Sequence, residues 1–176
     1  MSSDFKDLLR CLNIARVKYL LVGGYAVMHY SEPRYTKDLD IWVDPSVRNS
    51  HALYRALDAF GAPLANIDQD TFKDPGVMYI CGLPPSRIDI LTRIKGVDFE
   101  TAWKKRERST FAGVETQFLS LELLIDAKRS AGREQDKLDL KKLRALTRKQ
   151  SSKNSKTTPT RKVVHKRARK TKGTNK

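Results

Sequence analysis

Leu21-Val22-Gly23-Gly24, followed fourteen residues after Gly24 by Asp38-Leu39-Asp40-Ile41, sets the reading of this chain. A short apolar strand runs into a small-residue turn. Two acids then stand at i and i+2 inside an apolar alternation. Side chains at i and i+2 of a strand share a face, with Cα atoms about 7 Å apart. Carboxylates so placed converge on a divalent cation or a pair of them. A Gly-Gly turn beside them lets a phosphate come close to the backbone. The pattern points to metal-assisted chemistry on a nucleotide.

Working outward, Phe5, Leu8, Leu9, Leu12 and Ile14 have near-helical spacing over residues 4–16, and Lys18 to Val22 reads as a strand. Tyr25 to Tyr30 is expected to be a short helix, Ser31 to Lys37 a loop and Asp38 to Val43 a strand. Asp44-Pro45-Ser46 supplies a cap, with proline at the first helical position, for a helix reaching Phe60. Gly76 to Cys81 and Arg87 to Arg93 flank the turn Gly82-Leu83-Pro84-Pro85 as a hairpin. The second of these strands holds Asp89 between Ile88 and Ile90. A carboxylate in a packed strand is costly unless paired or bound to a metal, and Arg87 and Arg93 are the candidate ion-pair partners. Helices are expected over Asp98 to Arg106, from Ser120 to near Gly132, and from Gln135 to about Lys149, with a short strand region at Phe111 to Phe118.

The charge is lopsided. Residues 151–176 hold ten Lys/Arg and no acid, while residues 1–150 hold 25 Lys/Arg and 20 Asp/Glu, for a total of +15. The division expected is a folded domain over 1–149 and a basic tail over 150–176. That tail has almost nothing to bury and is expected to be disordered alone. It suits phosphates without reading sequence, and it has no aromatic residue for stacking on bases. Cys11 and Cys81 form no CxxC, which argues against a disulfide scaffold and a structural zinc site. His29, His51 and His165 lack metal-ligand spacing. No apolar run approaches about 18 residues and the N-terminus has no signal-peptide pattern, so no membrane association and a cytoplasmic location are expected.

As a set, Leu20-Leu21-Val22-Gly23-Gly24-Tyr25-Ala26-Val27, Arg34-Tyr35-Thr36-Lys37-Asp38-Leu39-Asp40-Ile41-Trp42-Val43 and the later Asp89 resemble the polymerase-beta-type nucleotidyltransferases. The Arg-x-Thr-x-Asp-hydrophobic-Asp form is similar to small bacterial members that include the AbiEii-type toxins. Those also carry a helical Lys followed by Arg and Asp, matched here by Lys128, Arg133, Asp136 and Asp139. The resemblance implies an α+β fold, a small mixed sheet with helices packed on it. It implies transfer of NMP from an NTP to an acceptor. Asp38, Asp40 and Asp89 would hold two Mg²⁺ ions, and Lys128 would join them as a catalytic residue. Gly23, Gly24, Arg34 and Lys37 would meet the triphosphate. The chain departs from the pattern in having Gly-Gly-Tyr where many members have Gly-Ser.

The acceptor stays open among a tRNA end or other RNA reached through the basic tail, a protein side chain and a small molecule. A toxin-like role would bring an antitoxin partner. Two other readings remain: a catalytically silent nucleotidyltransferase fold that binds nucleic acid or a partner, and an antibiotic nucleotidyltransferase. Trp42, on the face of the acids, is the aromatic expected to border the site, and Tyr25 is expected to cover the turn or meet a base.

Overall fold

The computed structural model describes residues 3–154, and side chains through residue 148. The elements in chain order are α1 (Ser3–Ile14), β1 (Tyr19–Leu21), α2 (Gly23–Tyr30), β2 (Asp38–Val43), α3 (Val47–Phe60), β3 (Met78–Cys81), β4 (Arg87–Leu91), α4 (Phe99–Lys104), β5 (Glu107–Phe111), β6 (Val114–Phe118), α5 (Leu121–Ala131) and α6 (Glu134–Asn154). A single 3-10 turn, Thr71–Lys73, sits in the stretch after α3. This is an α+β fold built on one six-stranded sheet of order β3-β4-β2-β1-β6-β5. The sheet is mixed: β2 runs parallel to β4 and β1 parallel to β6, while β1–β2, β3–β4 and β5–β6 are antiparallel.

Local chemistry explains the boundaries. α1 buries Phe5, Leu8, Leu9 and Leu12, a stripe at i, i+3, i+4 and i+7. Ser46, rather than Asp44, caps α3 by accepting from the Asn49 N–H, so Pro45 precedes the cap instead of opening the helix. Gly61 ends that helix in the left-handed conformation at φ 81°. Asp98 caps α4 by accepting from the Thr101 N–H at 2.9 Å. The last helix, expected to end near Lys149, continues to Asn154. The tail expected from residue 150 lies, beyond Asn154, outside the described residues.

Both faces of the central strands are covered. Leu39, Ile41 and Val43 point one way and are fully buried. Tyr19, paired with Val43, shares that face, and its hydroxyl donates to Asn13 of α1 at 3.1 Å. The opposite face carries Asp38, Asp40 and Trp42. Trp42 meets Phe99 of α4 edge-on, with centroids 5.0 Å apart. No helix among the described residues is long and apolar enough to cross a membrane.

Candidate active site

Parallel pairing of β2 with β4 sets Asp40 directly opposite Asp89, and Asp38 opposite Arg87. The antiparallel partner β1 ends beside the start of β2, where the Val22 N–H donates to the Asp40 carbonyl at 3.0 Å. Gly23 therefore lies directly against the Asp40 side chain. Its φ is +61°, and a Cβ there would fall 1.9 Å from Asp40 Oδ2. Gly24 is equally confined, since its Cβ would meet Thr36 Oγ1 at 2.4 Å. Both glycines open α2 rather than ending before it, and the Gly24 N–H donates to Asp40. Gly23→Ala is expected to destabilise the fold by about 2–4 kcal/mol, combining left-handed strain with overpacking. Urea denaturation measures this, and an unchanged midpoint would contradict the tight approach.

The carboxylates are held under electrostatic tension. Burial, and after it the neighbouring Asp89, raises the Asp40 pKa to about 6, although the Gly24 N–H and Lys128 oppose the shift. Arg87 answers the other two acids. Its Nε and Nη2 make a forked pair with Asp89 at 2.9 and 2.8 Å, and Nη2 also lies 2.8 Å from Asp38 Oδ2. This pairing, Asp89 above all, holds the Arg87 guanidinium pKa above its ordinary value. Asp38 Oδ1 is buried without a hydrogen-bond partner. Among the described residues, no three His, Cys, Asp or Glu side chains are gathered as a ready metal-binding set. The donor chemistry nonetheless fits a hard divalent cation: carboxylate oxygens only, one of them orphaned and one ionising reluctantly.

A second charge network braces the site. Lys128 of α5 is 6% exposed, and its ammonium lies 2.9 Å from Asp136 and 3.0 Å from Asp139 on α6. Asp139 also faces Arg34, through Nε at 3.1 Å and Nη2 at 3.2 Å, while Asp136 accepts from Arg133 Nε at 2.8 Å. Burial pushes the Asp136 pKa up, but hydrogen bonds from Arg133 and Lys128 outweigh it and leave it below the ordinary value. Arg34, expected at the triphosphate, and Lys128 are thus already oriented by buried acids, whereas Lys37 is not.

A cleft of about 460 Å³ gathers Gly23, Gly24, Arg34, Asp38, Asp40, Asp89 and Lys128. Lys37 is exposed and lines neither this cleft nor its neighbour. The neighbour, about 220 Å³, shares Gly23, Asp40, Leu91, Lys128, Arg133 and Asp136 with the cleft and adds an apolar wall including Ile94, Leu119, Leu124 and Ala127, with Arg93 and Lys95. Trp42 does not border the site; it is 2% exposed and packed on Phe99. Tyr25 packs edge-on between Phe5 and Phe111, at 5.7 and 5.0 Å. The forked role of Arg87 extends the ion pair that its spacing from Asp89 suggests. Arg93, a candidate partner of Asp89, instead lines the smaller pocket with Lys95, and Gln135 lines the cleft; no sequence pattern marks these three for those places.

No protein-family model matches the chain, and no curated protein matches it by sequence. A solved crystal structure described as a "putative nucleotidyltransferase" from Thermotoga maritima shares the fold, with a TM-score of 0.50 and 16% identity. The match covers 78% of this chain and 88% of that one.

Proposed function

We propose that the chain is a nucleotidyltransferase that moves NMP from an NTP to a hydroxyl-bearing acceptor. The observation that carries this reading is the cross-strand pair Asp40–Asp89, with Asp38 two residues along, set against the Gly23 turn. Asp38, Asp40 and Asp89 would hold Mg²⁺. Bound there, Mg²⁺ would offset charge on the triphosphate and favour the deprotonated acceptor hydroxyl. The protein's own groups serve the same end. Arg34 and Lys128 present positive charge to the cleft from positions fixed by Asp139 and Asp136. The adjoining apolar pocket, with Arg93 and Lys95, suits a ring bearing phosphate. The acceptor favoured is RNA, because the chain has no acid after Asp139 while Lys and Arg recur to Lys176. An AbiEii-like toxin role, with an antitoxin partner, rests on the sequence resemblance alone, chiefly that of residues 34–43, and is part of the proposal.

A second reading is favoured by Arg87. Its fork already meets Asp38 and Asp89 with positive charge, as in a catalytically silent fold that binds without transferring.

Two measurements separate the readings. Incubation with each α-³²P-labelled NTP, Mg²⁺ and total bacterial RNA is expected to label RNA, and Asp38→Ala/Asp40→Ala to abolish the label. Titration with Mn²⁺, followed by electron paramagnetic resonance, is expected to show binding that the same double variant loses. Absence of both label and Mn²⁺ binding would favour the silent fold. Mn²⁺ binding without label on RNA would move the search to protein and small-molecule acceptors.

A further inference from the structure

A second polar depression lies at the opposite end of the central strands. β1 and β2 are antiparallel, so the start of β1 and the end of β2 meet away from the Gly23 turn. There Arg16, Lys18, Arg48 and Arg55 surround a depression of about 390 Å³ containing one acid, Asp44. Asp44 is already engaged. It lies 4.0 Å from the Lys18 ammonium and accepts from the Ser46 hydroxyl at 2.9 Å. Among the described residues, Arg16, Arg48 and Arg55 have no carboxylate within ion-pair distance.

The floor is rigid. Buried Asn49 accepts from the Lys18 N–H at 2.7 Å and donates to the Lys18 and Asp44 carbonyls at 3.1 and 2.9 Å. It ties the first turn of α3 to the residue before β1 and the residue after β2. Arg48, Ala52 and Arg55 stand at i, i+4 and i+7, on one side of α3. Arg48 also sits in the first turn of α3, which holds no acid. A helix N-terminus favours negative charge and disfavours a cation. The four cations are exposed and hydrated, and an anion seated among them would meet both their charge and the positive end of α3. The surroundings do not supply one: residues 1–139 hold equal numbers of Lys/Arg and Asp/Glu, so the excess here is local.

We infer that this depression is a binding site for phosphate groups, separate from the carboxylate cleft. Asp44 directly follows the last residue of β2, four residues beyond Asp40, about 14 Å at a rise of 3.4 Å per residue. One phosphate cannot lie in both places. The occupant is either a small phosphate compound or the phosphodiester backbone of a nucleic acid. The inference stands independently of nucleotidyl transfer.

The test is a ¹H–¹⁵N spectrum of the full chain titrated with pyrophosphate, and in a second arm with a short single-stranded RNA, both without divalent metal. Saturable shifts are expected at the Arg16, Arg48 and Asn49 amides. Arg48→Ala/Arg55→Ala is expected to weaken binding there by about tenfold or more, with amides elsewhere unmoved. Arg48→Lys/Arg55→Lys is expected to keep most of it, which separates lost charge from lost structure. Saturation by pyrophosphate at lower concentration assigns a small phosphate compound, and tighter binding of RNA at the same amides assigns a phosphodiester chain. Shifts that stay linear with concentration, or that are unchanged in the alanine variant, overturn the inference.

Discussion

Asp40→Asn is expected to raise the stability of the fold at neutral pH while abolishing the proposed nucleotidyl transfer. The carboxyl pKa is raised to about 6 from 3.8, first by burial and then by Asp89. A raised carboxyl makes the ionised form costly to the folded state. The penalty is absent below about pH 4, grows between about pH 4 and 6, and is complete above. Two pKa units correspond to nearly 3 kcal/mol at about 1.4 kcal/mol each. Asparagine has the same shape, keeps an acceptor for the Gly24 N–H and carries no charge. A gain of about 1–3 kcal/mol at pH 7 follows, several degrees in Tm for a chain of this length. The wild type is expected to lose stability from pH 4 to 6, and the variant to lack that loss. Transfer is expected to fall by about 10³-fold or more, since removing one preorganised charge or donor alone costs about 10²–10³. If the carboxylate holds Mg²⁺ as proposed, the ion should stabilise the wild type more than the variant. Calorimetry across pH, beside the labelling assay, measures all of this. A variant less stable than wild type at pH 7 would contradict the tension inferred at Asp40.

Lys128→Ala is expected to produce the opposite outcome, a large loss of stability. Its ammonium is the shared partner of Asp136 and Asp139, whose side chains are each about 1% exposed. Truncation leaves two buried carboxylates with Arg133 and Arg34 as their remaining cations and the Gln135 amide as a neutral donor to Asp139. Breaking a buried pair from one side typically costs about 3–5 kcal/mol, a large share of the 5–15 kcal/mol that holds a domain together. Adding Asp139→Asn should recover part of the loss, and a double-mutant cycle by urea denaturation gives the coupling. Acid should act the same way. Asp136 has a lowered pKa, so its contribution is present above the ordinary carboxylate range and is lost as pH falls through its folded value. A Lys128→Ala loss below about 1 kcal/mol would show that the network does not hold α5 to α6.

What the sequence revealed depended on whether local pattern or tertiary partner set the structure. β2 follows the alternation of Asp-Leu-Asp-Ile-Trp-Val from end to end, because one face needs Leu39, Ile41 and Val43 in the core. Asp89 stood out because an acid between two buried isoleucines needs a reason. β5 did not stand out. Glu-Arg-Ser-Thr-Phe has no alternation, and only Phe111 is buried. It is an edge strand templated by β6 across Ala112 and Gly113, both at positive φ, 52° and 78°. Trp42 misled for a related reason: sharing a face with the acids does not mean sharing their cleft when α4 covers that end. Asp136 and Asp139 lie on a polar helix whose periodicity signals no burial. They are buried because Lys128 and Arg34 meet them, a fact of tertiary pairing. The guanidinium of Arg87 filling the space between Asp38 and Asp89 is likewise set by strand register.

The bracing of Lys128 and Arg34 by α6 also bears on how the protein is made. All three acids and both glycines have been synthesised once residue 89 is complete, but Asp136 and Asp139 come about 50 residues later, some 2–10 seconds at usual elongation rates of about 5–20 residues per second. A nascent chain that has paired β2 with β4 carries the carboxylates without the orientation of its two cations. Orientation of Lys128 and Arg34 is therefore deferred until α6 has been made, and a ribosome stalled before α6 would leave both cations without their buried partners.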